Sequence, residues 1–381
     1  MAQESLNPEE VVLGEEIGNV RLITLNRPRQ LNVISSRVVA LLAQYLEKWE
    51  KEDEAKLVIF KGNGRAFSAG GDLKMFYEHK ADDTCLEVVY RMYWLCNHIH
   101  TYKKTTVALV HGIVMGGGGA MVAPSKFSVV TENAVFAMPE VAVGLHTDCS
   151  FSFILPRLPG YLGEFLALTG SRLKGKEIVA AGLATHFVPS DKLSELEKKL
   201  LSLSSGEDST VRATIEEFSL DATPDEKSIL NKLPTIDRCF CAESIEEIIK
   251  SLEEETSKEG NEWMVSIINT LKRSSPTSLK ITLRSIREGR KQNLAECMKK
   301  EFRLTMNILR SVISGDCYEG MRAHIEKVNS PKWDPPNLEQ VSSEKIDQVF
   351  KPFSAELELQ IPSDESSRWD GKYENTAYNK N

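Results

Sequence analysis

The stretch VALVHGIVMGGGGA, residues 107–120, runs from an apolar segment directly into a cluster of five glycines. The run Val107–Val110 reads as a strand, and glycine admits the tight backbone that follows. The arrangement recurs upstream, where the short apolar strand Leu57–Phe60 ends in GNGRAFSAGGD (Gly62–Asp72). Downstream, a strand over Phe127–Thr131 leads to Phe136 and the tripeptide MPE (Met138–Glu140). Helical patterns lie between these strands. Ser35 or Ser36 caps a segment in which Val38, Val39, Leu41, Leu42, Tyr45, Leu46 and Trp49 repeat at helical spacing, and a second helix runs from about Leu86 to His100. Strand Val20–Leu25 opens the series, and Pro28 disfavours helix in the turn after it. Strand, helix and glycine turn thus alternate through the first half. That is an α/β chain with its glycines at strand ends, where such proteins place their ligands.

Farther on, Gly163–Gly182 and Leu193–Leu203 read as helical. From about Ser205 to Ile236 the chain turns polar, suggesting a hinge or surface excursion. Beyond it, Glu243–Glu255, Glu262–Lys272, Ser278–Arg287 and Leu294–Arg310 have helical spacing, with no convincing strand. The end, PSDESSRWDGKYENTAYNKN (Pro362–Asn381), lacks an apolar pattern and reads as loosely attached. The expected division is a core over 1–204, a helical region over 205–350 and a tail over 351–381. There is no internal repeat.

Of the 381 residues, 41% are hydrophobic and 27% charged, which excludes disorder for most of the chain. A formal charge of −8 argues against nucleic acid as a partner, because phosphate neutralisation needs a basic excess. No apolar run has membrane-spanning length, so no membrane partner is expected. Seven cysteines, an odd number without regular spacing or a CxxC pair, fit a reducing compartment better than a disulfide or zinc framework. His98 and His100, two apart on a helix, face different ways, and no metal is expected. The acidic start MAQESLNPEE lacks the features of a secretory or transit peptide, and the end YNKN is no peroxisomal address. The cytoplasm is therefore the expected compartment.

Gly62-Asn63-Gly64-Arg65-Ala66-Phe67 begins like a dinucleotide fingerprint, but Phe67 stands where the third glycine belongs. Gly112–Gly119 has no following Lys-Ser or Lys-Thr and is no P-loop. Two clusters, each ending a strand and opening a helix, point to a shared use. Glycine lets a backbone N–H approach a ligand closely, and a helix start favours negative charge. Two such N–H groups aimed at one point form an oxyanion hole.

These stretches carry a resemblance. GRAFSAGGDL (Gly64–Leu73), HGIVMGGGGA (His111–Ala120) and FAMPEVAVGL (Phe136–Leu145) resemble, in that order, the crotonase or enoyl-CoA hydratase/isomerase superfamily. LNRPRQLN (Leu25–Asn32) and LALTGSRLKGKEIVAAGLATHFVP (Leu166–Pro189) add to the match. Within it, SPTSLKITLRSIREG (Ser275–Gly289), EFRL (Glu301–Leu304) and YEGMRA…SPKW (Tyr318–Trp333) resemble the 3-hydroxyisobutyryl-CoA hydrolase branch, its plant hydrolase-like members above all. The resemblance implies a crotonase-like ββα spiral that binds acyl-CoA, with the helical C-terminal region closing the site. It implies oxyanion donors at the backbone N–H of Gly71 and Gly117. The adenine and pantetheine parts of CoA would lie along Ala66, Ser68 and Ala69, with Gly70, Asp72 and Gly116 also in the substrate-binding stretch. It implies no cofactor, CoA being part of the substrate. A homo-oligomer is permitted by the apolar C-terminal helices, and related members suggest peroxisomes or mitochondria as alternative compartments.

The carboxylates separate the reactions this family performs. Where the hydratase pattern has its first glutamate, this chain has Ala120; the second is retained as Glu140. With one of two glutamates missing, water addition across a double bond lacks half its acid–base apparatus. The hydrolase branch instead resembles MPE followed eight residues later by aspartate, and here Glu140 and Asp148 keep that spacing. Pro139 and Gly144 argue for a loop between them. Glu140 sits among apolar neighbours that would raise its pKa on burial, making it a base for water or a nucleophile. Asp148 would hold a substrate hydroxyl or the attacking water; helix capping or ion pairing is the plainer alternative for both.

Two departures stand out. The branch's LFPD reads Leu145-His146-Thr147-Asp148 here, and a family glutamate before a tyrosine is replaced by Met92 before Tyr93. His146 either supplies a polar contact in place of that carboxylate or borders the pocket. Met92 falls at the substrate by the resemblance, while helical spacing places Met92, Tyr93 and Trp94 in the core. Cys149 and Ser150 lie too close in sequence to His146 to aim at it usefully. The expected activity is hydrolysis of a short branched 3-hydroxyacyl-CoA thioester, 3-hydroxyisobutyryl-CoA first. A degenerate acyl-CoA-binding protein and an enoyl-CoA hydratase/isomerase are the alternatives.

Overall fold

The computed structural model describes residues 10–82 and 84–379. The acidic start read for targeting, apart from Glu10, and the last two residues of the tail lie outside the described residues. The described residues pack as two compact units, one formed by residues 10–72, 98–136 and 173–226, the other by 73–82, 84–97, 137–172 and 227–379.

The first unit is built on two sheets. Its strands are β1 (Val12–Ile17), β2 (Val20–Leu25), β3 (Leu57–Gly62), β4 (Ala66–Ser68), β5 (Thr105–Val110), β6 (Ile113–Met115), β7 (Phe127–Val130), β8 (Val135–Ala137), β9 (Leu173–Lys174) and β10 (His186–Phe187). The larger sheet has the order β1-β2-β3-β5-β7-β10 and the smaller β4-β6-β8-β9. Only the β1–β2 hairpin of the larger sheet is antiparallel; its other pairs are parallel. After β3, β5 and β7 a short turn sends the chain into the smaller sheet as β4, β6 and β8. This repeated step is the ββα spiral. Gly112 makes it possible between β5 and β6: it has φ +88°, and a Cβ there would lie 2.1 Å from the Arg65 carbonyl oxygen.

The apolar runs of β3 and β5 are fully buried, as a parallel sheet covered on both faces requires. On one face, Leu57, Ile59, Val107 and Leu109 pack against Leu196, Leu200, Val211 and Ile215. The last two belong to a helix, Asp208–Glu216, inside the polar stretch read as a hinge or surface excursion. Its sparse apolar residues fall on one face, so a mostly polar segment still contributes to the core. Gly163–Gly182, read as helical throughout, divides into the helix Leu162–Thr169, strand β9 and the helix Lys176–Ala180. Gly170 stops the first helix in the left-handed conformation at φ +60°.

The second unit is mainly helical, with Thr84–His100 entering it and Ile245–Thr256, Trp263–Arg273, Pro276–Gly289, Leu294–Leu309 and Asp316–Glu326 as principal elements. Capping boxes of Ser244 with Glu247 and of Asn293 with Glu296 start two of them. The expected boundary at residue 204 does not coincide with this packing, since 73–97 and 137–172 join the C-terminal helices. Periodicity locates a helix's apolar stripe but not the body that the stripe joins. The tail also departs from its reading as loosely attached. Trp369, Tyr373 and Tyr378 are buried, Tyr90 donates to the Gly371 carbonyl at 2.9 Å, and Trp94 Nε1 donates to the Asp370 carbonyl at 2.9 Å. Isolated aromatic anchors leave no periodic signal. Among the described residues no helix is long and apolar enough to cross a membrane.

Candidate active site

In the first unit, the segment after β2 binds the turn between β3 and β4. Asn32 Nδ2 donates to the carbonyls of Asn63 (2.9 Å) and Ala66 (2.8 Å). Ala69 N donates to the Leu31 carbonyl. The buried Ser68 hydroxyl donates to the Asn32 carbonyl at 2.8 Å and accepts from Gly70 N at 3.3 Å, while Asp72 is ion-paired with Arg27 at 3.1 Å. Gly71 forms a parallel bridge with Ile34, whose bonds use the Gly70 carbonyl and the Asp72 N–H and leave the Gly71 N–H outside the bridge.

The second glycine cluster lies against the first. Gly70 has φ +92°, and a Cβ there would sit 2.9 Å from the Met115 carbonyl oxygen and 3.6 Å from Gly117 N. Gly116 opens a short 3-10 helix, Gly116–Met121, rather than the expected regular helix. Gly117 is its second residue, where an N–H has no intrahelical acceptor. The first unit thus gathers Ala66, Ser68, Ala69, Gly70, Gly71, Asp72, Gly116 and Gly117. A pair of backbone donors so placed suits an oxygen that gains negative charge.

The remaining predicted residues belong to the second unit. Glu140 opens the 3-10 turn Glu140–Val143, closed by Gly144 at φ 75°. Ser275 N donates to the Val141 carbonyl at 3.2 Å and fixes this turn. Gly144 and Gly320 allow the helix Asp316–Glu326 to press on it. A Cβ at Gly144 would lie 2.3 Å from the Asp316 carbonyl oxygen, and one at Gly320 would lie 2.4 Å from the Val143 carbonyl. Glu140 is buried, and its Oε2 has no hydrogen-bond partner. Burial first, and then repulsion from Asp148 and Glu301, push its carboxyl well above the ordinary range.

Asp148 is hydrogen-bonded through Oδ2 to the Tyr93 hydroxyl. Burial raises it to about 6, against the opposing hydrogen bonds of Tyr93 and Cys149. The Tyr93 oxygen also lies 2.6 Å from Thr305 Oγ1, which lies 2.7 Å from His146 Nε2. His146 Nδ1 faces the Thr147 carbonyl at 3.1 Å, and burial pushes the ring down to about 3, so it is neutral. Cys149 and Ser150 hold left-handed backbone at φ 54° and 76°. Glu301 secures that strained stretch: its two carboxylate oxygens accept from Ser150 N and Ser152 N, both at 2.8 Å.

His146 therefore reaches Asp148 through two hydroxyls, while Met92 is a buried apolar residue of the Thr84–His100 helix. Tyr93, Thr305 and Glu301 were not singled out as site residues. Tyr93 is core by burial, yet its hydroxyl belongs to the polar cluster. The usable signal was Glu301 and Thr305, polar and four apart on a largely apolar helix. Hydrogen bonding to Cys96, with burial, raises the Cys149 thiol well above its ordinary value, which disfavours it as a nucleophile. No cluster of metal-ligand type occurs among the described residues.

The model of the enoyl-CoA hydratase/isomerase family matches residues 20–350. The 3-hydroxyisobutyryl-CoA hydrolase-like protein 5 of Arabidopsis thaliana is 64% identical over 99% of this chain and 99% of its own length. The mitochondrial 3-hydroxyisobutyryl-CoA hydrolase of Homo sapiens is 40% identical over 92% of this chain and 91% of its own. Among solved structures, a carnitinyl-CoA dehydratase from Mycobacterium thermoresistibile superposes with a TM-score of 0.84 at 32% identity, covering 93% of this chain and 100% of that one. With the sheet alternation and the paired glycine turns, these matches show that the chain belongs to the enoyl-CoA hydratase/isomerase, or crotonase, family.

Proposed function

We propose that this chain hydrolyses a short branched 3-hydroxyacyl-CoA thioester, 3-hydroxyisobutyryl-CoA in the first instance, to the free acid and CoA. The observation that carries the reading is Glu140, a buried carboxyl with an unpartnered oxygen, eight residues ahead of Asp148 in the hydrogen-bonded cluster. The names of the plant and human relatives support the substrate class. Ala120, apolar where a hydratase has its first glutamate, disfavours water addition to a double bond.

On this reading the thioester oxygen is received by the N–H groups of Gly71 and Gly117. Each well-placed donor contributes on the order of 3–4 kcal/mol to the transition state. Glu140 takes a proton from water as the oxygen attacks the carbonyl carbon. The C–S bond then breaks, and the proton passes to the departing thiolate of CoA. Direct attack by Glu140, giving an anhydride that water opens, is the other route; single turnover in ¹⁸O-water places label in Glu140 only by that route.

The test is thiol release from 3-hydroxyisobutyryl-CoA by the purified chain. Glu140→Gln is expected to lower turnover by roughly 10²–10⁴-fold with little change in acyl-CoA affinity. Tight acyl-CoA binding without turnover, indifferent to Glu140→Gln, would instead establish a binding protein, the reading that the buried Met92 favours. Faster hydration of crotonyl-CoA than thiol release would establish a hydratase.

A further inference from the structure

His146 stands where the resemblance leads one to expect phenylalanine, and its ring is tied to Asp148 by an unbroken series of contacts through Thr305 and Tyr93. Counting hydrogens along this series fixes their directions. The Thr147 carbonyl accepts only, so the neutral ring carries its hydrogen on Nδ1, 3.1 Å from that oxygen. Nε2 is then a lone pair, and the Thr305 hydroxyl 2.7 Å away donates to it. A hydroxyl has a single hydrogen, so across the 2.6 Å contact Tyr93 donates to Thr305. Tyr93 then has none left for Asp148. The last contact closes only when the Asp148 carboxyl carries a hydrogen and donates it to the Tyr93 oxygen. An ionised Asp148 would draw the Tyr93 hydrogen to itself and leave Tyr93 and Thr305 oxygen to oxygen with nothing between them.

We propose that His146, acting through Thr305 and Tyr93, keeps a proton on Asp148 and so spares Glu140 a neighbouring negative charge. The groups facing this series are Glu140 on its turn, Lys300 and Glu301 on the Leu294–Leu309 helix, and Cys149 and Cys96. Lys300 opposes a cationic ring and the carbonyls of Thr147 and Glu301 favour one, but burial outweighs them and the ring stays neutral. Burial and repulsion from Asp148 both raise Glu140. A proton held on Asp148 removes the repulsion and lets Glu140 ionise more readily. Two neighbouring carboxyls are thereby assigned opposite roles, one a donor and one a base. That catalytic consequence rests on the thioesterase reading; the placement of the proton does not.

The test uses the full chain with ¹³C-labelled aspartate, followed by the infrared carbonyl band of protonated Asp148 and assigned by its loss in Asp148→Asn. In Thr305→Val and in His146→Phe nothing demands the Thr305 hydrogen, so Tyr93 is free to donate to Asp148. The band is expected to disappear at a pH lower than in the wild type by about one unit, the worth of one such hydrogen bond. Thr305→Ser, which keeps the hydroxyl, should restore the wild-type titration. Thr305→Val is nearly isosteric and serves if His146→Phe does not fold. Titration of Asp148 at the same pH in wild type and Thr305→Val would overturn the inference, since a merely structural Thr305 moves stability and not this band. No substrate is involved: an inactive wild type with the expected band shift would remove only the functional reading, and an active enzyme with an unmoved band only this one.

Discussion

Asp148 keeps a proton in the folded chain at pH values where an exposed aspartate has lost it, because its partial removal from water disfavours its charge. Glu301 on the adjoining helix is displaced in the same direction by burial and by Asp148. A raised folded pKa means that the native state holds more protons than the unfolded one between the two pKa values. The stability each group contributes is full below about pH 4 and is lost as pH rises through the folded value. For Asp148 that window runs from its ordinary 3.8 to about 6. Asp148→Asn removes the titration, so its stability relative to wild type should climb as pH rises from about 4 to about 7. Thermal melts of both proteins across that range check it; a constant difference would show that Asp148 titrates normally in the fold.

At the scale of elements, the turn carrying Glu140 depends on how closely the helix Asp316–Glu326 approaches it. Gly144 combines left-handed backbone with a contact that no side chain can share, its Cβ falling 2.3 Å from the Asp316 carbonyl oxygen. Gly18, in the β1–β2 turn, has φ +56° with nothing within 4 Å of a Cβ. The two positions therefore separate strain from packing. Gly18→Ala should cost about 1 kcal/mol and leave turnover unchanged. Gly144→Ala should cost about 2 kcal/mol more and lower thiol release, because the helix must move away from the Glu140 turn. Equal losses of stability in the two variants would mean that the contact at Gly144 gives way without cost.

At the scale of the whole molecule, the C-terminal residues complete the helical unit. Tyr378 meets the edge of Phe302 at 5.9 Å, Tyr373 meets Tyr90 at 5.9 Å, and Trp369 meets Trp94 at 5.7 Å. Each large side chain removed from water contributes roughly 1.5–3 kcal/mol. Removal of residues 351–381 should lower the melting temperature markedly and expose Tyr90, Trp94 and Phe302. Trp369→Ala in the intact chain should reproduce part of that loss. An unchanged melting temperature in the truncated protein would contradict the packing described here.

Strands β2, β3, β5 and β7 and the long helices were legible within a few residues, because hydrophobic period and cap residues act locally. The two glycine turns were legible for the same reason: close backbone approach admits no other residue, and Gly70 and Gly112 show that approach. Glu140 and Asp148 were singled out by spacing and by resemblance. The sequence by itself thus determined the principal strands and long helices and the eight-residue spacing of Glu140 and Asp148, while the spiral was implied by the resemblance. Tertiary structure alone decided which helices join which body and that the tail's aromatics are buried. It alone showed that Tyr93, Thr305 and His146, up to 212 positions apart, connect to one carboxyl. Those outcomes depend on contacts between distant segments, and neither periodicity nor spacing encodes the direction in which a side chain finds its partner.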